Sequence, residues 1–278
     1  MELARWMLWY EKMAATFGYS TQKDREATLV LRGLLTGVAS PLQRLRSLVT
    51  GKDAMVFGAG PSLESNLSSL TSAGLEKLFT IIAADGATTA FLEKSIIPHI
   101  IVTDLDGCLD DIIEACKRGS SIIVHAHGDN VDALRKWVPR IIDNKKGELY
   151  GTTQVEPCPP VIHNFGGFTD GDRSVFLAEE MEAKTIILAG MDFGTIIGKY
   201  SKTMPVDPSL PRDDDSWLST KRLKLQFARE LLEWLATWSR AKGGLLNATG
   251  PGGQMIRGIP RIDFRVLRQI AKLTGSGR

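Results

Sequence analysis

The sequence predicts an α/β fold: a mostly parallel, Rossmann-like sheet with helices on both faces and an N-terminal helical cap. Two observations carry this. From Asp53 onward, short β-branched runs alternate with amphipathic stretches, the texture of strand–helix units. The runs are continuously apolar rather than alternating, as expected of parallel strands covered on both sides. Residues 1–50 carry only helical spacing and form the cap; residues 51–278 form the α/β domain, with a Pro/Asp-rich loop near 198–219.

Taken in order, Leu3, Trp6, Met7, Tyr10 and Met13 recur at three- and four-residue steps and mark one helix face. After Gly18-Tyr19-Ser20, a second helix carries Leu29, Leu31, Leu34 and Leu35. A third begins at Pro41, a residue suited to a first turn, with Leu42, Leu45, Leu48 and Val49 inward. The strands expected next are Ala54–Phe57, Phe79–Ala83, Ile100–Thr103, Ser121–His125 and Thr185–Leu188. Between them lie helices over Ser62–Lys77, Thr88–Lys94, Leu109–Arg118, Val131–Trp137 and Asp172–Glu182. Gly198–Ser219, with Pro205, Pro208, Pro211 and the Asp213-Asp214-Asp215 run, reads as a lid or an excursion. A long helix over Thr220–Arg240 follows, with Leu223, Phe227, Leu231, Trp234, Leu235 and Trp238 on its apolar side. The tail holds glycine turns, a short helix and a frayed tip.

Composition narrows the function classes. With 43% hydrophobic and 24% charged residues the chain can bury a core, which excludes a disordered or disulfide-stapled scaffold. A net charge of +2, from 34 basic and 32 acidic residues, is too balanced for a nucleic-acid footprint. Cys108, Cys116 and Cys158 form no close pair, so neither a zinc finger nor a disulfide framework is expected, and a reducing cytoplasm fits. Charges interrupt the apolar opening at Glu2, Arg5, Glu11 and Lys12, so no signal peptide is expected, and no uncharged run is long enough for a membrane span. The aromatics Trp6, Trp9 and Tyr10 suit either packing within the chain or a dimer interface; the reading leans to a homodimer.

Polar residues gather just past the C-terminal ends of the expected strands, the edge where open α/β sheets bind ligands. The first such tip is Gly58-Ala59-Gly60-Pro61-Ser62, a glycine turn into a helix N-terminus that favours phosphate or simply makes the turn. Asp85-Gly86 follows the second strand. Asp104 and Asp106, at alternate positions of an extended segment, point the same way and suit Mg²⁺, unless one caps a helix and the other is solvated. His125 and His127, followed by Asp129 and Asn130, admit two readings. They ligate zinc or manganese for hydrolysis, or they touch phosphate or base while Asp129 completes a magnesium site. Asn164–Arg173 is a glycine-rich polar loop whose Thr169 and Asp170 can cap and whose Arg173 offers a bidentate fork. Asp192, in Gly190–Gly194, supports the site or caps a helix.

Phe57–Leu63, Ala84–Ala87, Thr103–Gly107, His125–Asn130, Gly151–Gln154 and Asn164–Arg173 together resemble the archaeal 6-hydroxymethyl-7,8-dihydropterin diphosphokinases. More remotely, Asp85 with Thr103–Gly107 is similar to the acidic strand ends of thiamin diphosphokinases. The resemblance implies a catalytic domain that moves diphosphate from ATP to a hydroxymethylpterin and releases AMP, in tetrahydromethanopterin- or folate-type cofactor synthesis. It implies Mg²⁺ on Asp104, Asp106 and Asp129, because an acidic rim meets a polyanion only through cations. Gly58, Gly60, Pro61, Ser62, Asp85, Gly86, His125 and Asn130 would bind the nucleotide and its phosphates. Arg173 would position phosphate, and His127 or Asp129 would accept the alcohol proton. Asn164, Gly166, Gly167, Phe168, Thr169, Asp170 and Asp172 would bind the pterin. Its partners would be these small molecules, without nucleic acid or membrane. A glycosyl-type transferase using a nucleotide-activated sugar is the alternative, since similar motifs occur in domains associated with flagellin glycosylation.

Overall fold

The computed structural model describes residues 1–201 and 214–267. Most of the expected 198–219 loop and the 268–278 tip lie outside the described residues.

Strands β1 (Asp53–Phe57), β2 (Thr80–Ala84), β3 (Ile100–Thr103), β4 (Ser121–Ala126), β5 (Leu149–Thr153), β6 (Ile162–His163), β7 (Thr185–Ala189) and β8 (Leu245–Asn247) form one sheet. It has eight strands in the order β6-β5-β4-β3-β2-β1-β7-β8. Every pairing is parallel, with Met55 opposite Ile81 of β2 and Ile187 of β7. The five expected strands are present within a residue or two. β5, β6 and β8 were not expected as strands: Leu149–Thr153 carries Gly151 amid threonines, and the other two span two and three residues. Such segments become strands because a neighbouring edge supplies their hydrogen bonds.

Side-chain alternation divides the core in two. Met55, Phe57, Ile81, Ala83 and Val124 face helices α2 (Thr21–Leu35), α4 (Leu63–Ser72), α5 (Ala87–Glu93), α6 (Leu109–Lys117) and α7 (Val131–Asn144). Ala54, Val56, Ile82, Val102 and Leu188 face α1 (Leu3–Phe17), α3 (Leu42–Val49), α8 (Asp170–Glu180) and α9 (Asp214–Ala236). Helices thus cover both faces, as the apolar runs predict. Residues 1–50 split between the layers: α1 and α3 pack on one face and α2 on the other.

The α1 helix buries Trp6, Tyr10 and Met13 and stops at Gly18, whose φ of 69° suits glycine. Trp6 and Tyr10 pack inside the chain, and Trp9 stacks near Trp234 at 5.9 Å. On α2 the buried set is Asp24, Ala27, Thr28, Leu31 and Leu35, whereas Leu29 points outward at 56% exposure. The α7 helix runs through Pro139 instead of ending at Trp137. An interior proline costs about 3 kcal/mol, but Val138 and Ile141 are fully buried on either side of it, and that burial outweighs the loss.

Between β6 and β7 the chain returns from one edge, so the winding reverses between β1 and β7. The crevice past their C-terminal ends is the topological switch point where such sheets bind ligands. Among the described residues, no helix is long and apolar enough to cross a membrane.

Candidate active site

A cleft of about 200 Å³ opens at this switch point. Its floor is Gly58–Pro61 after β1, Asp85 and Gly86 after β2, and Gly190–Phe193 after β7; Phe168–Gly171 and the α9 lysines Lys221 and Lys224 close it.

Four carboxylates converge at its rim. One oxygen each from Asp85, Asp104, Asp106 and Asp170 lies within 4.8 Å of all the others. Asp85 is the first residue past β2, at φ 35°; its N–H donates to the Val102 carbonyl and its Oδ1 accepts the Thr103 hydroxyl at 2.6 Å. A Cβ on Gly107 would stand 2.2 Å from Asp85 Oδ2, so only glycine lets the next turn approach. Asp104 and Asp106 meet through a turn, not an extended strand: β3 ends at Thr103, Leu105 sits at φ 68°, and the Asp106 N–H donates to Asp104 Oδ1 at 3.2 Å. Asp170 arrives on the first turn of α8.

This crowding has an electrostatic signature. Burial, then the charges of Asp104 and Asp106, pushes Asp85 well above the usual carboxylate range. Burial, then Asp104 and Asp85, does the same to Asp170. Burial would also raise Asp104, but the His127 hydrogen bond and charge, Asp106 and Arg173 outweigh it and hold Asp104 well below its ordinary value. Burial lowers Lys221, against the pull of Asp106, Asp170 and Asp104.

The structure separates the expected site residues. Gly86, Gly58, Gly60, Pro61, Phe168, Thr169 and Asp170 do line the cleft. The phosphate cradle expected of the first turn is narrowed, because three of its N–H groups are already engaged. Gly58 donates to the Ala189 carbonyl, Gly60 to the Gly190 carbonyl, and Ser62 to Asp192 Oδ2. Asp192 therefore caps α4, accepting the Ser62 hydroxyl as well. Asp129 is exposed and stands outside the carboxylate group, where Asp85 and Asp170 are found instead.

His125 is fully buried, lines neither large cavity and meets Thr152 Oγ1 at 3.1 Å, so it is no phosphate contact. Burial, then Arg173 and His127, drives its basicity well below the ordinary range. His127 Nδ1 accepts the Asp129 N–H at 3.3 Å while Nε2 lies 3.4 Å from Asp104 Oδ2. That arrangement turns Nε2 of His127 toward the Asp104 carboxylate. Asn130 ties turns together, giving its amide hydrogens to the Asp104 and His125 carbonyls.

Arg173 is buried too and lines a smaller cavity next to the cleft rather than the cleft itself. It donates to the Gly167 and Phe168 carbonyls, with Nε 3.9 Å from Asp170 Oδ1, so it braces the loop that presents Asp170. Asp172 closes a capping box with Thr169 and also accepts the Phe168 N–H. Asn164 donates to the Val155 carbonyl and accepts the Gly166 N–H, outside both cavities, and Gly167 lies behind the loop against Arg173. Asn164, Asp172 and the two glycines shape the loop and stand outside the lining of both cavities.

A second cavity of about 140 Å³ adjoins the first and shares Asp104, Phe168 and Lys224 with it. Asp24 of α2 lines it, 3% exposed, accepting from Tyr10, Gln154 and the Gly128 N–H. Sequence reasoning missed Asp24, Lys221 and Lys224. An acid in a helix's first turn and lysines three apart on a helix are ordinary surface patterns.

A family model described as 6-hydroxymethylpterin diphosphokinase MptE-like matches residues 31–198. Three curated relatives are described as 6-hydroxymethyl-7,8-dihydropterin pyrophosphokinase. The one from Methanothermobacter thermautotrophicus is 44% identical, covering 84% of this chain and 95% of the relative. That from Pyrococcus furiosus is 46% identical over 87% and 97%, and that from Methanocaldococcus jannaschii 39% over 84% and 96%. A solved structure, the MAf glycosyltransferase from Magnetospirillum magneticum AMB-1, matches with a TM-score of 0.57 at 13% identity. It covers 91% of this chain, which spans only 41% of that one, and the likeness is one of fold alone. The family match contains all four clustered carboxylates, and the relatives align over nearly their whole length; the chain belongs to the MptE-like family of 6-hydroxymethylpterin diphosphokinases.

Proposed function

We propose that this protein transfers the terminal diphosphoryl group of ATP to 6-hydroxymethyl-7,8-dihydropterin and releases AMP, in tetrahydromethanopterin- or folate-type cofactor synthesis in the cytoplasm. The observation that carries the reading is the group of four carboxylates at the switch-point cleft of a chain in this family. Their chemistry fits Mg²⁺: the donors are all oxygen, and the raised Asp85 and Asp170 leave charge repulsion that a divalent cation offsets. Asp85, Asp104, Asp106 and Asp170 would hold it. A cation held there would supply Lewis-acid chemistry, offsetting charge on the transferring group.

The chain's own side chains do the rest by positioning and electrostatics. Lys221 and Lys224 face the cleft and meet the phosphates. His127 keeps Asp104 ionised, and Arg173 holds the Asp170 loop in place. The hydroxymethyl oxygen bonds to the β-phosphorus as the bond to the α–β bridging oxygen breaks; AMP leaves and the alcohol proton is released. Positioning of this kind supplies most of the acceleration in phosphoryl transfer.

The test is a product analysis. Protein, Mg²⁺, ATP and the pterin should yield AMP and diphosphorylated pterin in equal amounts, and none without Mg²⁺. ADP as the only nucleotide product overturns the reading.

A further inference from the structure

The two adjoining cavities divide the substrates between them. We infer that the smaller cavity, walled by Tyr19, Asp24, His127–Asp129 and Gln154, is the acceptor subsite: it takes the flat heteroaromatic alcohol, and the larger cleft takes the nucleotide. This rests on the diphosphoryl-transfer reading above and deepens it.

Sheet order supplies the first argument. The larger cleft lies over β1, β2 and β7, whereas the smaller lies over β4 and β5, through His127–Asp129 and Gln154. Asp104, at the end of the intervening β3, belongs to both, with Phe168 and Lys224. A group passing directly from donor to acceptor must cross the wall where the two molecules meet. That wall carries a carboxylate of the metal-type group and a lysine, the charges a moving diphosphoryl needs.

The lining supplies the second. Tyr19 and Phe168 stand in its lining with ring centres 6.3 Å apart and planes at 52°. Phe17 is stacked against Tyr19 at 5.5 Å, and Lys224 Nζ lies 5.6 Å from the Tyr19 ring centre, a lysine an incoming ring would displace. Such a surface suits a planar ring. The polar groups opposite are preset: Gln154 Nε2 donates to Asp24 Oδ2 at 2.9 Å, which fixes the amide, and Asp24 is itself anchored by Tyr10 and Gly128. A fixed amide and a buried carboxylate recognise the alternating donors and acceptors along a pterin edge. The larger cleft sets Phe193 and Tyr200 beside Lys221 and Lys224, a lining that suits a nucleotide, its base against the rings and its polyphosphate toward the lysines.

The experiment is a steady-state comparison of wild type with Tyr19→Ala, Tyr19→Phe, Gln154→Leu and Lys221→Ala, paired with fluorescence titration of the pterin without ATP. Tyr19→Ala and Gln154→Leu should each raise the pterin KM about tenfold, the scale of one lost stacking partner for the first and of one lost hydrogen bond for the second, with the ATP KM within about twofold of wild type. Tyr19→Phe should recover most of the loss. Lys221→Ala should show the converse, a raised ATP KM. A raised ATP KM in the Tyr19 and Gln154 variants, or no change in either constant, overturns the assignment. A wild type that makes no AMP overturns the activity instead. The titration then still decides the subsite, and undiminished pterin binding by both variants rejects it.

Discussion

The turns after β1 and β7 and the turns after β2 and β3 lie side by side at one sheet edge, yet they handle polar groups in opposite ways. In the first pair, donors and acceptors satisfy one another: Gly60 donates to Gly190, Ser62 to Asp192, and a Cβ on Gly60 would stand 2.2 Å from Asp192 Oδ2. In the second pair, with Asp170 from α8, like charges are left facing each other, and burial plus mutual repulsion raises Asp85 and Asp170. A turn whose polar groups pair internally is scaffold. Carboxylates crowded this closely, with Arg173 near Asp170 and His127 near Asp104 leaving Asp85 and Asp170 still raised, suit a ligand that brings further positive charge.

That contrast breaks most visibly at Asp104. Asp104→Asn should lower kcat/KM about 100- to 1000-fold, the cost of removing one electrostatic contact to the transferring group. Thermal unfolding of the metal-free variant should stay within a few degrees of wild type, because one repulsive charge has gone. Gly60→Ala tests the opposite side of the edge. Its Cβ meets Gly190 O and Asp192, so it should cost roughly 1–3 kcal/mol in urea unfolding, the range for overpacked sites. Equal stability in Gly60→Ala would mean that the β1 and β7 turns are looser than their hydrogen bonds indicate.

The smallest effect sharpens the same division through pH. His125 is buried, with its basicity depressed by burial first and by Arg173 next. A histidine depressed in the folded state stabilises above its unfolded pKa of about 6.5, and that stability is lost as pH falls below it. His99 and His163, also lowered by burial, act in the same direction. Acidification from pH 7 to pH 5 therefore costs stability through these histidines and returns some through the raised Asp85 and Asp170, so removing one histidine isolates its share. In His125→Gln the urea midpoint should lose less, or gain more, over that interval than in wild type. An unchanged pH dependence in that variant would place the sensitivity elsewhere.

Much of this molecule was legible along the chain. The apolar runs at β1, β2, β3, β4 and β7 marked buried parallel strands because every residue in them faces a covered side. Asp85, Asp104, Asp106 and Asp170 were all singled out, since acids past strand ends stand out against glycine turns. Their partition was not legible. Asp129 sits four residues past His125 in as acidic and polar a tip as any, yet it points to the exposed side. Asp172, two residues beyond Asp170, spends its oxygens on Phe168 and Thr169 as a helix cap. Lys221, Lys224 and Asp24 were not singled out, because lysines on an amphipathic helix and an acid in a helix's first turn carry no local mark of a site.

Local chemistry, then, dictated the α/β class, most of the elements and the pool of acids from which a site could be drawn, because periodicity and strand-end position depend on neighbouring residues only. Which acids meet depended on long-range geometry: β2 lies against β3, and α8 returns across the sheet to bring Asp170 beside them. A distance of a few ångströms between residues 85 and 170 is set by strand order and helix packing, and no stretch of chain between them encodes it alone.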